Sequence, residues 1–282
     1  DKGGLELPRR YLRAPAVQQI LRPEERVIGR VLAKAAAGDP TRPFLQSGGD
    51  ILTLGQLDSA TNRLARGMAR LGIKRGDRVC MMLPNSAEFV MTWFSLAKLG
   101  AVEVPINTAY IGEFLRDVLV RSEPAGLVVD AAFLDRFEAL GPLPVAADRI
   151  VVAGGNGKRG RPPSAPWLAG SVPFTELLNE SDDPPDVRVE WTDPAAILYT
   201  SGTTGPSKGA VLTHHCCVWC GEQAVTAFGG GPEEIWYTCL PLFHVDSQLL
   251  VTVSSLLSGA RVVLGDRFSA RRFWDEVRES GA

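Results

Sequence analysis

The run Ile197-Leu198-Tyr199-Thr200-Ser201-Gly202-Thr203-Thr204-Gly205-Pro206-Ser207-Lys208-Gly209 decides how the rest of the chain is read. Ala195 to Tyr199 is a short apolar run of the kind that forms a buried strand. Thr200, Ser201, Thr203 and Thr204 follow it with hydroxyls that can donate to an anion. Gly202 and Gly205 let backbone N–H groups close around that anion as a nest, and Lys208 adds a charge-assisted donor. Ala210-Val211-Leu212 then resumes the apolar pattern. A strand, a hydroxyl- and glycine-rich loop, one lysine and a second apolar run suit a polyphosphate. The segment is not a Walker A loop, which requires G-x-x-x-x-G-K-[ST], because Ser207 precedes the lysine and Gly209 follows it. A flexible polar turn is the competing reading. The single lysine and the strand entering directly argue against it.

Working outward, apolar runs alternate with helical patterns. Val79 to Leu83 is apolar without alternation, as in a strand buried on both faces. Pro84-Asn85 turns the chain, and Phe89, Val90, Trp93, Phe94 and Leu96 fill a helix ended at Gly100. Strands over Ala101 to Val104, Leu127 to Val129 and Ile150 to Val152 flank a helix over Ile111 to Val120. Such alternation implies βαβ crossovers and a mainly parallel sheet. Upstream, residues 1–22 read as an irregular arm, and a helix runs from Pro23 to about Gly38. Ser47-Gly48-Gly49-Asp50 reads as a hairpin turn, and a helix through Leu57, Ala60, Leu64 and Met68 ends with Gly72 at C′. Ala153 to Ser171, with Lys158, Arg159 and Arg161, reads as a mobile surface loop, and Phe174 to Leu178 as a short helix. Downstream come a helix over Thr213 to Phe228, a strand over Ile235 to Leu240, a helix over Leu249 to Leu257, and a strand over Arg261 to Leu264. Ser269 is the expected N-cap of a last helix carrying Phe273, Trp274 and Val277. A βα series should continue with another strand, so a truncated chain is expected. The acidic, proline-rich Ser181 to Asp186 divides the chain into a first α/β subdomain, 1–185, and an incomplete second one, 186–282, carrying the loop.

Composition excludes several function classes. The 282 residues are 22% charged and 45% hydrophobic with a formal net charge of −2, which leaves no electrostatic footprint for nucleic acid. No apolar run reaches the roughly 18 residues of a transmembrane span, and Asp1-Lys2-Gly3-Gly4 carries no signal-peptide pattern. Five cysteines without framework spacing suit a reducing, cytoplasmic setting. The oligomeric state is open, with a homodimer among the options.

Two further clusters invite chemistry. Pro241-Leu242-Phe243-His244-Val245-Asp246 follows an expected strand, and ligands of α/β proteins bind at the carboxyl ends of strands. His244 is a candidate partner for a carboxylate or phosphate, against the alternative of a buried, backbone-satisfied histidine. His244, Asp246 and Ser247 are too close in one loop to form a hydrolase triad. His214-His215-Cys216-Cys217-Val218-Trp219-Cys220 lacks the second ligand cluster of a structural zinc site, so no metal site is assigned and the cysteines read as small buried residues.

Tyr199 to Gly209 closely resembles the phosphate loop of adenylate-forming enzymes, which include acyl-CoA synthetases, luciferases and peptide-synthetase adenylation domains. Its usual form is Tyr/Phe-Thr-Ser-Gly-Thr-Thr-Gly-x-Pro-Lys-Gly, and this chain departs from it only at Pro206-Ser207. Phe243 to Gln248 and Ser269 to Trp274 look like stretches of crotonobetaine/carnitine-CoA ligase-type synthetases, while Leu83 to Ser86 and Leu99 to Asn107 have the look of the superfamily's first subdomain. The resemblance implies a layered α/β N-terminal domain with two related, mainly parallel β-sheet subdomains flanked by helices. It implies an ATP-dependent acyl-CoA synthetase. Carboxylic acid, ATP and CoA would give acyl-CoA, AMP and pyrophosphate through an acyl-adenylate, with Mg2+ sharing the phosphate charge. Lys208 and His244 would be the catalytic side chains, and Thr200, Ser201, Gly202, Thr203, Thr204, Gly205 and Lys208 the nucleotide-binding ones. The family's later magnesium and ribose motifs and its C-terminal catalytic lysine find no counterpart here, so the chain alone is expected to be inactive, its partner being the missing C-terminal part. A non-catalytic, half-length nucleotide-binding relative and an amino-acid adenylation domain are the alternatives.

Overall fold

The computed structural model describes residues 21–154, 166–200 and 207–282. The expected N-terminal arm up to residue 20, the glycine- and arginine-rich stretch 155–165 and loop residues 201–206 lie outside the described residues.

A 3-10 turn at Pro23–Glu25 precedes α1 (Ile28–Gly38), so the helix expected from Pro23 is split. The Glu25 carboxylate accepts the Arg22 N–H at 3.0 Å, which closes the first turn on itself. β1 (Pro43–Ser47) and β2 (Asp50–Thr53) form a hairpin whose turn needs Gly48 at φ 61°. Thr53 then N-caps α2 (Leu54–Arg70) in a reciprocal capping box with Gln56. β3 (Arg78–Met82), α3 (Ala87–Leu99), β4 (Val102–Pro105), α4 (Gly112–Ser122), β5 (Gly126–Asp130), α5 (Leu134–Glu138) and β6 (Ile150–Ala153) supply the expected alternation. β7 (Val172–Pro173) and α6 (Phe174–Leu177) lead to β8 (Pro194–Thr200) and β9 (Lys208–Thr213). α7 (His214–Phe228), β10 (Ile235–Thr238), a π-helical segment at Asp246–Val253, α8 (Ser254–Ser258), β11 (Arg261–Leu264) and α9 (Phe273–Ser280) complete the order.

Among the described residues the strands form two sheets. One has seven strands in the order β7-β6-β5-β3-β4-β8-β9, and the other four in the order β10-β11-β1-β2. All neighbours run parallel except the β8–β9 and β1–β2 pairs, so both sheets are parallel-rich. Each sheet takes strands from both sides of residue 185. β3 shows why the run from Val79 lacks alternation. Val79 and Met81 enter one apolar cluster and Cys80 and Met82 another on the opposite face. The first cluster joins the two sheets through Leu57, Leu64, Trp93, Phe94 and Val218 of α2, α3 and α7. Each such fully buried side chain contributes about 1.5–3 kcal/mol relative to an exposed one.

Two expected helices begin elsewhere. The one expected from Leu249 starts at Asp246 and is π-helical, and the Thr252 and Ser254 hydroxyls bond carbonyls five residues back, at 2.8 and 3.2 Å. The last helix starts at Phe273 with Arg272 as N-cap, not Ser269. The Ser269 carbonyl accepts the N–H groups of Arg272 and Phe273 at 3.0 and 2.8 Å, winding one tight turn before the helix. No helix among the described residues is long and apolar enough to cross a membrane.

Candidate functional site

The carboxyl ends of the parallel strands converge, and Asn85 is what ties them. Its Nδ2 donates to the Leu240 carbonyl at 2.9 Å and the Gly265 carbonyl at 3.0 Å, and its Oδ1 accepts the Leu242 N–H at 2.8 Å. One buried carboxamide thus joins the end of β3 in the large sheet to the ends of β10 and β11 in the small one. The turn it holds carries His244. Pro84-Asn85 reads in the sequence only as a turn after a strand, and nothing local marks a residue that spans two sheets.

His244 is exposed on the turn after β10, its ring 4.7 Å from that of Phe243. Together with Asn107 and Tyr110 after β4, and Tyr199 near the end of β8, it lines one small cleft. Tyr199 is fixed by a contact of 3.1 Å between its hydroxyl and Ser122 Oγ, and the Tyr110 hydroxyl lies 3.4 Å from Ser207 Oγ. A second, wider cleft of ≈ 220 Å³ shares Phe243 and runs past Asn85, Thr108, Asp266 and Arg267. The buried histidine of the alternative reading is therefore not what the structure shows at His244. Nor do its neighbours build a hydrolase triad. Ser247 is fully buried, its hydroxyl donating to the Leu240 carbonyl at 2.8 Å, while Asp246 is exposed.

Of the expected phosphate-binding residues, Lys208 is exposed at the start of β9 and pairs in register with Thr200, the last residue of β8. Ser201, Gly202, Thr203, Thr204 and Gly205 lie outside the described residues, so the two strands mark where the loop leaves and returns. Gly209 has a steric reason to be glycine. It faces Tyr199 in register, and a Cβ built on it would stand 2.7 Å from Ile197 Cγ2. That approach is far inside van der Waals contact.

The histidine–cysteine segment has separate environments. His214 is buried with Nδ1 accepting the Ile28 N–H at 3.4 Å, and burial lowers its pKa to about 4. His215 packs edge-on against Trp191. Burial pushes the Cys217 thiol well up and the Cys220 thiol to about 11. Among the described residues no group of three or more His, Cys, Asp or Glu side chains could hold a metal ion.

Two parallel-rich sheets, with clefts where the strands end and a hydroxyl-rich sequence between β8 and β9, define an α/β protein of the open-sheet class, in which ligands bind at the strand ends. Within that class, residues 32–282 match the model of the family described as AMP-binding enzyme, and the chain belongs to this family. It is 32% identical over 250 residues to the crotonobetaine/carnitine–CoA ligase of Salmonella agona, covering 86% of this chain and 46% of that one. The corresponding ligase of Escherichia coli O127:H6 is 32% identical over 229 residues, covering 79% and 42%. The chain therefore spans about half the length of the curated relatives it matches. Among solved structures, the inhibitor-bound N-terminal domain of FACL13 from Mycobacterium tuberculosis superposes with a TM-score of 0.74 at 28% identity, covering 89% of this chain and 60% of that one. ATP-bound MatB from Rhodopseudomonas palustris shares the fold, with a TM-score of 0.72 at 22% identity and coverage of 89% and 48%.

Proposed function

We propose that this chain forms the ATP-phosphate and acyl-facing part of an AMP-forming acid–thiol ligase. The observation that carries the reading is that Tyr110, Tyr199 and His244 line one cleft beside Ser207, which leads into Lys208 at the start of β9. A free carboxylate is a poor acyl donor because it has no leaving group. Attack of the carboxylate on the α-phosphorus of ATP forms the acyl–phosphate bond and releases pyrophosphate. Attack of the CoA thiol on the acyl carbon then forms the thioester, releases AMP and loses the thiol proton. In this proposal the hydroxyls and N–H groups from Thr200 to Gly205, with the Lys208 ammonium, orient the β- and γ-phosphates and stabilise charge on the departing pyrophosphate. His244 contributes a ring nitrogen at the wall between the acyl and phosphate groups. Mg2+ would arrive with the nucleotide, since it is held mainly by substrate phosphates with one or two carboxylates.

Catalysis needs all groups positioned together, so the 282 residues by themselves are not expected to complete thioester synthesis. The test supplies ATP, CoA, Mg2+ and short, medium and long carboxylic acids to the 282-residue chain and to the full-length protein that contains it, with Lys208→Ala in each. The full-length protein should form a thioester from at least one acid, and the shorter chain little or none. Absence of any thioester with the full-length protein, alongside ordinary ATP binding, would instead identify a non-catalytic nucleotide-binding module. Amino-acid-dependent adenylation without CoA transfer would identify an adenylation domain.

A further inference from the structure

Glu103 lies on β4, an interior strand, opposite Val79 of β3 and Ala196 of β8. It is 1% exposed, and Gln248 of the π-helical segment, which meets it, is fully buried. Gln248 Nε2 donates to Glu103 Oε2 at 3.3 Å. Oε1 of Glu103 and Oε1 of Gln248 are both buried without a hydrogen-bond partner. An ionised glutamate offers acceptors only, so neither oxygen could satisfy the other. A single proton on Glu103 Oε1 supplies a donor for Gln248 Oε1 and removes both orphans at once.

Among the described residues the surroundings give an ionised carboxyl no cation to pair with. β3 and β8 present Val79 and Ala196 at its register. α7 brings the Cys217 thiol, which is itself pushed up by burial and by Glu103. α3 carries Lys98, but its ammonium is held by Asp58 Oδ1 and Asn62 Oδ1, both at 2.6 Å. Farther along α7, Glu222 is spent on Arg26 at 2.8 Å. Burial accordingly pushes the Glu103 pKa well above the ordinary carboxylate range.

We propose that Glu103 is a positioning residue whose protonated carboxyl pairs with the Gln248 carboxamide through two hydrogen bonds, fixing the π-helical segment and the His244 turn against β4. The Gln248 N–H bonds the His244 carbonyl at 3.3 Å, so the pair stands one turn from the exposed imidazole. The role given to His244 rests on the proposed function. The pairing does not, and its test uses no substrate.

Three proteins decide it: the native chain, Glu103→Gln and Gln248→Leu. Glu103→Gln keeps two facing hydrogen bonds as a carboxamide pair but cannot ionise. A glutamate with a raised folded pKa adds stability fully below its unfolded value, about 4.3, and loses it as pH rises toward the folded value. From about pH 5 up to the folded value the unfolding constant of the native chain, relative to that of Glu103→Gln, should therefore rise with pH, by at most roughly tenfold per unit. Backbone hydrogen exchange across residues 242–253 should stay within roughly threefold of native in Glu103→Gln and quicken at least about tenfold in Gln248→Leu. A flat ratio across that range would mean that Glu103 is ionised in the fold and would overturn the proposal. So would native exchange rates in Gln248→Leu. If Gln248→Leu does not fold, the pH series decides alone.

Discussion

Replacing Asn85 by alanine is the perturbation that most directly probes how the two sheets are locked at the site. Three hydrogen bonds disappear together, but their costs differ. The Leu240 carbonyl keeps the Ser247 hydroxyl at 2.8 Å, so its loss is small. The Gly265 carbonyl loses a bond worth about 1 kcal/mol. The Leu242 N–H sits in a residue that is 1% exposed and is left unsatisfied, which costs about 1–3 kcal/mol. The sum is about 3 kcal/mol, or roughly two powers of ten in the unfolding constant. Urea unfolding gives the total, and hydrogen exchange at the Leu242 amide gives the local part. Exchange should quicken at Leu242 and its neighbours while the centre of β3 keeps its protection. A loss below about 1 kcal/mol with native exchange at Leu242 would show that the strand ends are held by packing alone.

Gly209→Ala forces Ile197 to move, because the new methyl would stand 2.7 Å from its Cγ2; the expected cost is about 1–3 kcal/mol. Adding Ile197→Ala should recover at least about 1 kcal/mol in a double-mutant cycle, and strict additivity would refute the steric account. For His214, the ordinary value of 6.5 falls to about 4 in the fold, so the folded chain refuses a proton that the unfolded chain accepts. Its contribution is present above pH 6.5 and is lost as pH falls toward 4, by roughly 3 kcal/mol in all. His214→Asn, which keeps an acceptor for the Ile28 N–H, should flatten that part of the stability profile; an unchanged slope would contradict it. Elemental analysis of untagged protein should find less than about 0.1 zinc per chain, against the one ion of a structural site.

Much of this organisation is legible in the sequence because it is local. The apolar run into Tyr199, the hydroxyl–glycine loop and Lys208 are contiguous, and the helix ends at Gly72 and Gly100 need only a positive φ at one residue, 87° and 71° respectively. The division of strands between sheets is not local. β1 pairs with β11, Leu45 against Val262, across most of the chain, and no periodicity announces that partner. For the same reason residue 185 reads as a boundary although β8 and β9 add to the sheet begun by β3. Glu103 hides inside Val102-Glu103-Val104, where the strand pattern is unbroken in every respect but its charge. Its meaning depends on Gln248, 145 residues away, reaching it from another layer. In the sequence His244 is a candidate site residue through its place after an expected strand. Its exposure beside Tyr110 and Tyr199 depends on how β4, β8 and β10 are brought together.

The measurement that bears most directly on the proposed chemistry is carboxylate-dependent exchange of pyrophosphate into ATP by the full-length protein. It isolates the adenylation step and needs no CoA. Exchange should appear with at least one carboxylic acid and vanish without it. Thr203→Ala and Thr204→Ala should each slow it by up to about 3 kcal/mol, or roughly a hundredfold, since in the proposed assignment each would remove one donor to the phosphates. Lys208→Ala should slow it as well. Exchange at native rates in both threonine variants, or none with any acid from the wild-type protein, would contradict the assignment of this loop to the phosphates of ATP.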